Sequence, residues 1–171
     1  MTMTLMKTLT ISCLLLAGLL AASAVPAQEQ TQGQAPRLKL WIGEPLGADA
    51  ARCVLAEVPP NDAEPFLTER DVLAWDAAHA RWRLDKARFA GNRTLFAMTD
   101  RCFVLTLDGK QIRGAAVTRY SARLLQFPTL AVAVEKDGEI SLRLSSMFNG
   151  ADSPPLEAAT LERILAPGLN K

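Results

Sequence analysis

Catalysis needs functional side chains gathered in groups, and this chain of 171 residues contains few of them. Its single histidine, His79, stands beside Asp76 in the second half of an expected helix and reads as a partly exposed helix histidine. A general base needs its proton target within hydrogen-bond reach and a nucleophile beside it. A hydrolase of an envelope polymer would have to rest on His79 with Asp76, or on Ser121 near Arg123. There is no G-x-S-x-G elbow, and "GNRTLF" lacks the lysine–serine pair of a phosphate cradle. One histidine and two remaining cysteines do not make a zinc site. The acids of "EPFLTERD" are spaced as a helix first turn rather than as a calcium loop. These readings assign no catalytic residue, no metal and no cofactor.

Cysteine chemistry points the same way. Cys53 and Cys102 stand in matching contexts, "ARCVLAEV" and "DRCFVLTL", each opening an apolar run after an arginine. No C-x-x-C is present, so a redox couple is not the expectation. Two cysteines in an exported chain pair with each other, here across two strands of a sheet. Closing a loop of 49 residues stabilises a fold by roughly 4 kcal/mol in the chain-entropy treatment.

Charge is unevenly distributed along the chain. Residues 81–123 carry ten Lys/Arg against three Asp/Glu, while residues 28–80 carry four against nine and residues 124–171 four against six. The basic middle can present Arg81, Arg83, Arg101, Arg113, Arg119 and Arg123 as one surface for an anionic partner, or can fold against the acidic segment and be cancelled. The contact residues expected on that surface are Arg113, Arg119, Tyr120 and Arg123. "SARLLQFPTL" follows them and reads as core, with an exposed apolar lip as the alternative.

The N-terminus sets the compartment. Lys7, the apolar stretch "TISCLLLAGLLAASA" and the small residues Val25 and Ala27 form a secretory signal, 1–27, cut between Ala27 and Gln28. A retained anchor and acylation at Cys13 are the alternatives. A periplasmic or secreted location follows, without a stable membrane anchor, and it removes nucleic acid from the expected partners. Residues 28–36, polar and glutamine-rich, read as a flexible linker, and 37–171 as a single domain.

The elements that would position these side chains follow from periodicity. "RLKLWIG" alternates and is a strand, as is "RCVLAEV". "FLTERDVLAWDAAHA" has helical spacing with Thr68 as N-cap and Asp71 three residues on. "RWRLD" is a brief strand, and "KARFAGNRTLFAMTD" a second helix or helical turn. Two hairpins turn at Asp108–Gly109 and Asp137–Gly138. In the last arm Ile140, Leu142 and Leu144 face one side and Ser141, Arg143 and Ser145 the other, a packed face against a wet one. Ser153 caps a final helix carrying Leu161, Ile164 and Leu165, which Pro167–Gly168 stops. The resulting expectation is an α+β domain, a mainly antiparallel sheet built from hairpins with two or three helices on one face.

Residues 66–118 also resemble the first periplasmic domain of the protein-export components SecD and SecF. The likeness lies in Leu67, Thr68, Asp71 and Val72, then Phe96 and Thr99, then Val104, Leu107, Asp108, Gly109 and Lys110. It implies a helix-on-sheet head module that contacts other polypeptides. The export components span the membrane many times, whereas this chain has only its removable signal. Together these readings predict a small exported binding or accessory protein without catalysis. It would contact a polypeptide or an anionic envelope component through its basic surface. An envelope-polymer hydrolase, or an inhibitor of an envelope enzyme inserting a tip such as "LDGKQ", are the other readings.

Overall fold

Alternating side chains start the fold. The computed structural model describes residues 35–59, 63–85, 95–119, 125–149 and 153–166. The expected signal segment, most of the linker, and Tyr120, Ser121 and Arg123 lie outside them. In β1 (Leu38–Pro45), Leu38 and Leu40 are completely buried, and Lys39 and Trp41 take the opposite face. A 3-10 turn (Ala50–Leu55) follows, then β2 (Leu67–Thr68), β3 (Val72–Asp76), β4 (Arg81–Leu84) and the one-turn helix α1 (Leu95–Met98). β5 (Arg101–Leu107), β6 (Lys110–Thr118), β7 (Thr129–Val134), β8 (Ile140–Ser145) and α2 (Ala158–Leu165) complete the order.

The strands form one sheet of eight in the order β2-β1-β5-β6-β7-β8-β4-β3. Its two edges, β2 and β3, are consecutive in the chain and joined only by the turn Glu69–Asp71. The sheet therefore curls until its edges nearly meet, a barrel-like closure around one core. Trp82, Phe103, Leu105, Leu130 and Leu142 fill the inside, each at most 1 % exposed. Leu161, Ile164 and Leu165 of α2 join the same core, so the expected apolar stripe is the buried face of that helix.

The α+β expectation is overturned. Among the described residues α2 is the only helix of seven or more residues, and the sheet is mixed, because β6 and β7 run parallel. The largest error is the segment 66–80. Thr68 and Asp71 do form a capping box, with the Thr68 N–H donating to Asp71 Oδ2 at 2.7 Å, but the turn ends after three residues. β3 then pairs with β4, and a bulge between Val72 and Ala74 places both Val72 and Trp75 opposite the inward residues Leu84 and Trp82. An inserted residue converts strand period two into an offset of three, which imitates helical spacing. "RCVLAEV" is also not a strand. Asp49 caps it by accepting from the Ala51 N–H at 3.1 Å, and the 3-10 turn leaves Leu55 78 % exposed.

Both expected hairpin turns are present, with φ of 47° at Asp108, 84° at Gly109 and 80° at Gly138. The supposed wet face of β8 is covered: Ser141 and Ser145 are buried, and the chain at Pro155 lies against Ser145. Ser153 does not cap α2. Glu157 precedes that helix in left-handed conformation, and the Ser153 hydroxyl accepts from the Asn149 N–H at 2.7 Å.

Candidate functional site

A second, smaller apolar cluster lies on the outer face of the sheet. Cys102 on β5 and Ala115 and Val117 on β6 point away from the core, and the 50–55 turn covers them with Leu125 and Phe148. Cys53 is the one buried residue of that turn, and it is disulfide-bonded to Cys102 with Cα atoms 4.9 Å apart. The bond joins a turn to a strand rather than two strands, and it holds the turn down on the outside of the sheet.

Holding the turn there creates a groove. Trp41 on β1 lies directly opposite Val104 on β5, and these two outward residues form the floor. One wall is the irregular end of β1 and the loop after it; the other is the turn and the chain leaving it through Ala56, Glu57 and Pro59. The groove has a volume of about 620 Å³. The first wall is tied in place by its backbone: the Leu46 N–H donates to Asp100 O at 2.7 Å, and Arg101 Nε donates to Gly43 O at 2.8 Å. The Trp41 indole donates to Ala63 O at 3.4 Å, which fixes the orientation of the ring.

The rim of the groove is acidic. Glu44, Asp49 and Glu57 line it against a single cation, Arg52, whose Nε lies 3.8 Å from Asp49 Oδ2. Glu44 and Glu57 are exposed and have no ion-pair partner among the described residues. On the far side of the turn a shallower recess of 450 Å³ is lined by Val54, Arg113 and Pro128, with the Lys110–Glu157 ion pair at its edge. That pair, with help from Thr160, holds the Glu157 carboxyl below its usual range.

The arginines do not gather. Arg81 pairs with Glu135 at 3.6 Å and Arg83 with Glu139 at 3.0 Å, so acids of the last third of the chain cancel them. Arg113 is on the outer face of β6 while Arg119 follows the last residue of that strand, and six residues at strand rise separate them by roughly 20 Å. Arg113 is half-buried and donates to Gln111, while Arg119 is exposed without an ion pair among the described residues. Tyr120 and Arg123, the other two expected contact residues, lie outside the described residues.

His79 is on the turn between β3 and β4, not on a helix. Its Nδ1 is 2.7 Å from Asp76 Oδ2, and this hydrogen bond lowers the Asp76 pKa. The histidine side chain is 67 % exposed and lines neither recess. Among the described residues no three His, Cys, Asp or Glu side chains gather to hold a metal ion. The "LDGKQ" tip is tied down rather than free: Asp108 accepts from Arg37 at 2.7 Å and from Arg163 at 2.9 Å. No protein-family model, curated protein or solved structure matches this chain.

Proposed function

We propose that this chain is a small exported, non-catalytic binding protein whose recognition surface is the groove between β1 and the 50–55 turn. The construction of that groove carries the reading. One wall is fixed by hydrogen bonds to the sheet and the other by the Cys53–Cys102 disulfide, so the chain's own bonds shape the concavity. Its volume lies in the 300–1,000 Å³ range usual for ligand sites, and its apolar floor with a few charged groups is their usual composition. Walls ordered before binding reduce the entropy lost on association. Export is supported by the N-terminal residue pattern and by a disulfide in a chain with no other cysteine after the signal.

A second reading keeps the basic surface, on the strength of Arg119, which is exposed and unpaired among the described residues. One comparison separates the two. A Cβ added at Gly47 would meet nothing within 4 Å, so the backbone accepts a side chain there, and Gly47→Trp adds bulk to the lining of the groove. The expected result is an unchanged melting temperature and lost capture of partner from an envelope extract, with capture intact in the Arg113→Glu/Arg119→Glu double variant. The opposite pattern would transfer the function to the arginines.

A further inference from the structure

We infer that the groove takes a short, extended, cationic stretch of polypeptide, with an apolar side chain over Trp41 and Val104 and lysine or arginine side chains reaching Glu44 and Glu57. This rests on the groove being the recognition surface and names what it recognises. The floor supplies the apolar part: Trp41 and Val104 are paired across two strands and expose no charge between them. The rim supplies the rest. Three carboxylates share the lining with Arg52, which Asp49 engages, and the Arg101 guanidinium is bonded to Gly43 O, which leaves Glu44 and Glu57 without an ion-pair partner among the described residues.

Two carboxylates on opposite walls of an apolar floor suit a ligand with cations on both sides of an apolar group. In an extended peptide the apolar side chain turns to the floor while the cations before and after it turn together to the rim above. The face of an indole adds attraction for a nearby cation. The same rim repels anionic ligands, and a space of 620 Å³ admits a short segment rather than a folded surface. The chain's own residues 28–34 hold one glutamate and no cation, so charge disqualifies that stretch as the occupant.

The test is a titration of the ¹⁵N-labelled mature chain with two capped pentapeptides, alanine–lysine–leucine–lysine–alanine and its counterpart with glutamate in place of lysine. The expected result is movement of the Trp41 indole N–H and the Gly43 and Gly47 amides, with binding at least about tenfold tighter for the lysine peptide. That preference should disappear in the Glu44→Gln/Glu57→Gln variant, whose two changes are both at exposed positions. Equal binding of both peptides in the groove would overturn the charge claim and leave the groove as a binding surface. Absence of any shift at these three groups, or shifts confined to Arg113–Arg119, would overturn both. If the same shifts arise merely on concentrating the protein, the occupant is a second copy, and the inference fails.

Discussion

Asp108 shows how one side chain can join three parts of the chain. It sits in left-handed conformation at the tip of the β5–β6 hairpin and accepts hydrogen bonds from Arg37, at the start of β1, and Arg163, on α2. The Arg37 hydrogen bond, followed by that of Arg163, lowers its pKa from 3.8 to about 2. A carboxylate with a folded pKa below its unfolded value adds stability that is present above pH 3.8 and is lost as the pH falls through about 2. Asp108→Asn keeps the turn, because asparagine tolerates positive φ, and removes the charge. It should melt below the parent at pH 6, and the difference should close as the pH approaches 2 and as salt is raised. Thermal melts across that range check the point, and a gap independent of pH would contradict it. Gly114 is a second residue with an outsized role. A Cβ there would lie 1.7 Å from Pro128 O, a backbone atom beside the parallel β6–β7 junction. Gly114→Ala should destabilise the protein by about 3 kcal/mol, read by denaturant unfolding.

Elements differ in how much of their structure can be read from local pattern. β1 and α2 were legible because their buried residues follow the period of the element, Leu38 with Leu40 and Leu161 with Ile164 and Leu165, and β5 because a continuous apolar run, buried from Cys102 to Leu105, leads into a D-G turn. The D-G turns were legible because positive φ is a local demand that few residues meet. β3 was not, because its bulge exists only relative to β4, and an isolated sequence carries no record of the partner strand. The 50–55 turn was misread because Cys53 is buried by a bond to a distant strand; Val54 and Leu55, which suggested a strand, are exposed. The parallel β6–β7 pairing depends on a crossover that periodicity does not reveal. The disulfide is a property of this scale. Cys53→Ala/Cys102→Ala should cost about 4 kcal/mol at most, and amides of the 50–55 turn should exchange faster while those of β5 keep their protection. Hydrogen exchange on the parent and the variant measures this, and uniform loss of protection would show that the bond holds the sheet rather than the turn.

At the scale of the whole molecule, charge explains why the groove escaped notice. Counting along the chain drew attention to the basic middle, yet folding pairs Arg81 and Arg83 with Glu135 and Glu139. What remains is an acidic rim assembled from the end of β1 and the chain after the 50–55 turn, above a floor whose two halves, Trp41 and Val104, are distant in sequence. One local signal did exist: Trp41 on the outward face of an otherwise well-patterned strand, followed by Gly47, beside which a Cβ would meet nothing within 4 Å. The proposed recognition surface is this groove and not the arginines. Site-specific photo-crosslinking tests it most directly, with the reactive side chain placed at position 47 in one protein and at position 119 in another, each expressed as the full chain and activated in intact cells. Cross-linked product from position 47 with none from position 119 is the predicted result. Product from position 119 alone would contradict the account.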